Sequence, residues 1–198
     1  MNMSKVEINK SMKLSEHLAL PSEAALCQIS ELNGLRLSPH FTLGEFTKTS
    51  YHPLDGNIPS PAAIENLRNL CENWLEDLRY TYNALYGGFL RKEESGERKE
   101  NTEEAEIPII ISSGYRSEEV NRLCGGARGS NHLTGCAVDI RCYGPEQMIR
   151  MAGILLDIAD GTKRDFAELI LEKRGTTYCL HFAVRPSNNR RKILFDCV

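Results

Sequence analysis

Residues 130–140 read SNHLTGCAVDI, and no other stretch restricts the chain as strongly. Asp139 lies inside an alternating run of Cys136, Ala137, Val138 and Ile140, with His132 upstream and Gly135 between them. Side chains alternate faces along a strand. Cys136, Val138 and Ile140 are therefore expected to face a core, while Ala137, Asp139 and Arg141 share the opposite face. An unpartnered carboxylate in such surroundings costs on the order of a few kcal/mol. The rest of the chain has to supply a strong partner.

The late segment CLHFAV offers one. By the same alternation Leu180, Phe182 and Val184 point one way, and Cys179, His181 and Ala183 the other. Each segment thus presents one metal-capable side chain beside an alanine small enough to leave room. If the two strands are neighbours, Asp139 and His181 converge, and His132 from the preceding turn supplies a third donor. Two imidazoles and one carboxylate leave a fourth tetrahedral position open, the pattern of a catalytic zinc site. A divalent cation would also neutralise the buried carboxylate. Taken singly, a histidine or aspartate at these places is ordinarily a surface group or a cap.

Composition narrows the function without identifying it. Of 198 residues, 41% are hydrophobic and 26% charged, ordinary for a globular chain. A net charge of -3 gives no electrostatic basis for binding nucleic acid or an anionic membrane. No run approaches the roughly 18 apolar residues of a membrane span. The first 26 residues lack a compact apolar core followed by a small-residue cleavage site, so no signal peptide is read there. The expectation is a protein that stays in the cytoplasm or leaves it by another route, such as release by phage-type lysis. Seven cysteines, none in C-x-x-C spacing, indicate neither a zinc ribbon nor a full disulfide framework. Most are expected to be reduced core thiols, Cys71 among them.

Patterning along the chain predicts an α+β fold. Residues 1–36 are weakly patterned and read as an N-terminal arm of unknown role. Order begins at SPHFTLGEF, where Thr42 and Glu45 form a capping box. Ser60 and Pro61 predict a helix start. Ile64, Leu67, Cys71, Trp74, Leu75, Leu78, Tyr82 and Leu85 then recur at helical spacing, with Gly87-Gly88 expected to end the helix. The stretch 91–106, RKEESGERKENTEEAE, reads as a solvated loop insertion. IPIIISSG predicts a buried strand, and Ser117 caps a short helix that Gly125-Gly126 closes. Pro145 opens a helix through Met148, Ile149, Ala152, Leu155, Leu156 and Ala159 to Gly161. Two further strands are expected, around 169–172 and 179–184. Helices and strands mix without a βαβ rhythm, which favours α+β over a doubly wound sheet.

The pattern S-x-H-x-x-G-x-A-x-D, filled by Ser130, His132, Gly135, Ala137 and Asp139, resembles the signature of the zinc D-Ala-D-Ala carboxypeptidase family. SGYRS at 113–117, Asn121, Gly125-Gly126 and HFA at 181–183 follow that family's order. FTLGEF and NRRKIL resemble its small bacterial and phage branch. The likeness runs from about residue 37 to 198, a zinc peptidase-like domain. It implies the hedgehog/DD-peptidase fold: an antiparallel-rich sheet carrying a zinc site, with helices packed around it. It further implies Zn2+ held by His132, Asp139 and His181, and a peptidoglycan stem peptide as substrate. Arg116 would bind the substrate carbonyl or terminal carboxylate, with Ser130 also on the substrate side. A zinc-bound water would attack the scissile carbonyl, with Glu172 of ELILEKRG as general base and Glu168 as the second candidate. Small members of the family commonly have tryptophan where Cys179 stands; here the thiol either widens the substrate pocket or reaches the metal. The implied activity is that of a D-Ala-D-Ala carboxypeptidase. The alternatives are an L-Ala-D-Glu endopeptidase of phage lysis type and a non-catalytic, hedgehog-like metal-binding module.

Overall fold

A computed structural model describes residues 31–95 and 106–197. Residues 1–30 of the expected arm and 96–105 of the charged stretch lie outside the described residues. Thr42 precedes α1 (Leu43–Thr47), and its backbone N–H donates to the Glu45 carboxylate at 2.6 Å, as the capping-box spacing predicts. The long helical run begins with α2 (Pro61–Leu70), where the Ser60 hydroxyl accepts from Ala63 N–H and Pro61 occupies the first turn. A π turn (Cys71–Leu75) follows and leads into α3 (Glu76–Ser95).

Two expectations for this run need correction. The helix does not stop at Gly87-Gly88 but continues to Ser95, so the first residues of the charged stretch are helical. An interior glycine costs a helix only about 1 kcal/mol, and the RKEE that follows is made of strong helix formers. Leu85 is 56% exposed, not part of the buried stripe. The π turn inserts an extra residue, and downstream the stripe runs through Leu78, Tyr82 and the half-buried Tyr86.

The sheet has the order β1-β2-β4-β3-β5. Its strands are β1 (Ile111–Ser113), β2 (Ala137–Cys142), β3 (Glu168–Arg174), β4 (Thr177–Ala183) and β5 (Lys192–Cys197). All pairings are antiparallel except β3 with β5. The architecture is thus α+β with an antiparallel-rich sheet. β1 is shorter and less buried than IPIIISSG suggested: it is an edge strand with Ser112 exposed, and Pro108 has no N–H to pair. β5 went unpredicted, because its exposed apolar residues show none of the alternation that marks a half-buried strand. Between β1 and β2 come α4 (Glu118–Leu123), capped by Ser117, and a 3-10 turn (Asn131–Thr134). Helix α5 (Pro145–Thr162) joins β2 to β3; Ile149, expected on its apolar stripe, is 60% exposed.

One sheet face carries Val138, Ile140, Leu169, Leu171, Leu180 and Phe182 into the main core with α5 and the long helical run. Trp74 sits at its centre, with ring centroids 5.0 Å from Phe182 and 6.4 Å from Phe166. The other face starts with a small cluster of Ala137, Ala167 and Ala183. Among the described residues no helix is long and apolar enough to cross a membrane.

Gly135 ends the 3-10 turn in the left-handed conformation, at φ 69°. A Cβ there would stand 2.3 Å from the Ala63 carbonyl oxygen of α2. Replacing Gly135 by Ala should therefore combine backbone strain with overpacking and lower stability by about 2–4 kcal/mol. Urea denaturation reads this, and an unchanged midpoint would contradict the close approach.

Candidate metal centre

Strand register builds the face opposite the core in rows. Asp139 on β2 lies directly across from His181 on β4, and His181 lies across from Ile170 on β3. The neighbouring row on one side is Ala137, Ala183 and Glu168, and on the other Arg141, Cys179 and Glu172. Core residues occupy the alternate positions of all three strands, so the pleat forces this polar set onto one side. The alanine row leaves the space beside the Asp139–His181 pair unfilled by large side chains.

His132 reaches the same point from the 3-10 turn. Among the described residues, His132, Asp139 and His181 form the group whose donor atoms all lie within 4.8 Å of one another. Asp139 Oδ1 is 3.2 Å from His132 Nε2 and 2.7 Å from His181 Nδ1. His132 Nδ1 lies 2.5 Å from the Gly114 carbonyl oxygen, so that nitrogen carries the proton and Nε2 presents its lone pair inward. Only glycine permits this turn, since a Cβ at Gly114 would stand 2.6 Å from Phe46 Cβ of α1. Burial alone would raise the Asp139 carboxyl, but the neighbouring His132 and His181 rings hold it well below the usual carboxylate range. The donor set fits zinc chemistry: two imidazole nitrogens, one ionised carboxylate, and an outer carbonyl that fixes one imidazole's tautomer. His132, Asp139 and His181 are the residues that could hold the ion.

The other candidate residues fall into distinct places. Arg116 donates from Nη2 to the second oxygen of Asp139 and from Nε to Ser113 Oγ at 2.8 Å, so it orients the carboxylate. Its Nη1 makes no hydrogen bond among the described residues. Ser130 caps the 3-10 turn, its hydroxyl accepting from His132 N–H at 3.3 Å. Glu168 and Glu172 flank the His181 row on β3. Glu168 Oε2 is 3.9 Å from His181 Nε2. The Glu172 carboxylate makes no side-chain hydrogen bond among the described residues. Burial, and next the Asp139 charge, push its carboxyl above the ordinary value. The Cys179 thiol shares this face but is not among the three converging groups. Burial pushes it up to about 12. Without a cation beside it the thiol is therefore neutral.

Two contributors escaped the sequence reading. Asn131, buried beside His132, donates from Nδ2 to Glu168 Oε2 at 2.9 Å. It accepts at Oδ1 from Arg185 Nε at 2.6 Å. Lys192 of β5 approaches Glu168 Oε1 at 3.4 Å. Nothing local marks these positions, because the partners lie 37 to 54 residues from Asn131 along the chain.

A family model, Peptidase M15, matches residues 95–159. The matched stretch holds Arg116, Ser130, His132 and Asp139, while His181 lies beyond it and joins the group through the β2–β4 register. No curated protein matches the chain. The match supports a metallopeptidase acting on a peptide substrate, and with the mixed α+β architecture it agrees with the fold that the resemblance implied.

Metal analysis after dialysis against zinc should return one ion per chain. Replacing His132, Asp139 or His181 with Ala should weaken binding at least about tenfold, by loss of one of three donors. Affinity should fall as pH drops through the imidazole range, because each histidine must be neutral to donate. Retention of stoichiometric zinc by all three variants would refute the grouping.

Proposed function

We propose that this chain of the Peptidase M15 family is a zinc-dependent hydrolase of bacterial cell-wall stem peptides, with removal of the terminal residue of D-Ala-D-Ala as its reaction. The observation that carries the reading is the convergence of His132, Asp139 and His181 on a sheet face that also holds two glutamates. A structural zinc normally takes four protein donors. Here three come together among the described residues, which leaves a position for substrate or water.

When bound, zinc polarises the scissile carbonyl and lowers the pKa of water towards about 7. The residues do the rest. Asp139 is held at both oxygens, by the histidines on one and Arg116 on the other, so its position is set before substrate arrives. Arg116 Nη1 then binds the carbonyl oxygen as it gains negative charge, or the substrate's terminal carboxylate. Glu172, with its pKa raised by burial and by Asp139, accepts the proton of the attacking water and returns it to the departing amine. Glu168 stays tied to Asn131 and near His181, a positioning role that leaves the proton transfer to Glu172.

Incubating the zinc-loaded protein with muropeptides and weighing the fragments tests the reaction. Release of D-alanine is expected; a dipeptide fragment would point instead to cleavage between L-Ala and D-Glu, and intact muropeptides to a non-catalytic module. Glu172→Gln should lower kcat by a factor of about 10²–10⁴, the usual contribution of a general base, while zinc stays bound. If Glu168→Gln produces that loss and Glu172→Gln does not, the roles are reversed.

A further inference from the structure

Beside the zinc-type cluster, between the α2–π turn and the segment that follows β4, lies an open groove of about 460 Å3. Asn66, Asn69 and Asn73 line one wall, Arg164 and Arg185 the other, and Trp74 borders it. The three asparagines occupy positions i, i+3 and i+7 and so share one helical face. Asparagine is a poor helix former, and exposed helix faces are ordinarily built from Glu, Lys and Arg. Three amides in a row therefore call for a ligand.

Their hydrogen bonds say which kind. Asn66 Nδ2 donates to the Thr134 carbonyl at 2.9 Å, and Asn73 Nδ2 donates to Asn69 Oδ1 at 2.9 Å. Left over are Asn66 Oδ1, Asn69 Nδ2 and Asn73 Oδ1, which make no hydrogen bond among the described residues. Along the helix they run acceptor, donor, acceptor over about 10 Å, at 1.5 Å per residue. An extended peptide presents N–H and C=O groups in alternation along one edge, the complementary order. The facing wall adds charge. Arg164 uses Nη1 on the Asn73 carbonyl at 3.2 Å, and Arg185 uses Nε on Asn131, so each guanidinium keeps further donors. The groove's one carboxylate, Asp165, is already 4.0 Å from Arg191. An acidic side chain on the peptide would meet this excess of cations.

We propose that the groove is a subsite for an extended, acid-bearing stretch of the peptide substrate, away from the bond that is cut. This rests on the peptidase reading above. The groove and the cluster share a hydrogen-bonded chain: Arg185 lines the groove and bonds Asn131, and Asn131 bonds Glu168 next to His181. On the other side Asn66 holds the Thr134 carbonyl, two residues from His132. A peptide lying along the asparagines thus contacts the two supports of the zinc-type cluster.

Trp74 is the chain's single tryptophan, so its fluorescence reports groove occupancy without any turnover. The full-length protein is titrated with an N-acetylated tetrapeptide containing one central glutamate. A saturable change is expected, with binding at least about tenfold weaker for the glutamine counterpart and for Asn69→Ala and Arg164→Ala, as loss of charge-assisted or amide hydrogen bonds implies. Both residues are exposed or half-exposed at the groove and outside the zinc-type cluster, so the variants should fold; circular dichroism checks this. In a second arm, hydrolysis is measured on peptides of increasing length. Wild type should gain in kcat/KM through KM as the peptide lengthens; the variants should lose that gain yet match wild type on the shortest substrate. Equal binding by wild type and variants together with an unchanged length dependence overturns the subsite, whether or not peptides are cut. Asn69-dependent binding without cleavage of any peptide leaves the subsite standing and removes the peptidase reading instead.

Discussion

The cross-strand pair of Asp139 and His181 is the constraint around which the molecule is arranged. Directly opposite residues on antiparallel strands hold their side chains within about 5 Å of each other, so once β2 and β4 pair in this register the two groups must meet. A slip of one residue would send Asp139 into the core among Val138, Ile140, Leu180 and Phe182. The core side of the sheet therefore fixes the register that the polar side needs. Burial of the apolar face and assembly of the site are one event.

That arrangement explains why so much of the neighbourhood consists of supports. The carboxylate of Asp139 has two histidines against one oxygen and Arg116 on the other, and Arg116 is braced by Ser113. His132 is braced by the Gly114 carbonyl, and its turn is capped by Ser130 and closed by Gly135 against α2. Each support removes a degree of freedom from a donor. Donors held in place need little reorganisation when an ion or a developing charge arrives, and this is where electrostatic catalysis draws most of its strength.

The two glutamates of β3 stand in different surroundings on one strand face. They sit two residues to either side of Ile170. Glu168 is held by Asn131 and approached by Lys192, whereas Glu172 stands half-buried without a side-chain hydrogen bond and with its carboxyl pushed up. A bonded, charge-compensated carboxylate suits positioning; an unbonded one with a raised pKa suits proton transfer near neutral pH. Identity alone would not separate them.

The sequence by itself determined the α+β class, the caps at Thr42, Ser60 and Ser117, and the strand face on which Asp139 and His181 each lie. These follow from periodicity and local hydrogen bonding, which short stretches of chain encode. That their two strands are neighbours came from the fold. The sequence also carried the family likeness, from about residue 37 to 198. It did not reveal that the long helix runs on through Gly87-Gly88 past a π turn, nor that IPIIISSG pairs over only three residues at an edge, nor β5. In each case the outcome depends on what the segment packs against, and that is a property of the whole chain. Only the tertiary structure decided that Asn131 and Lys192 converge on Glu168, that Arg185 bonds Asn131, and that three asparagines face two arginines across a groove. Such contacts join residues far apart in sequence, and no local pattern records them because the energy that holds them exists only once the sheet and helices have closed together.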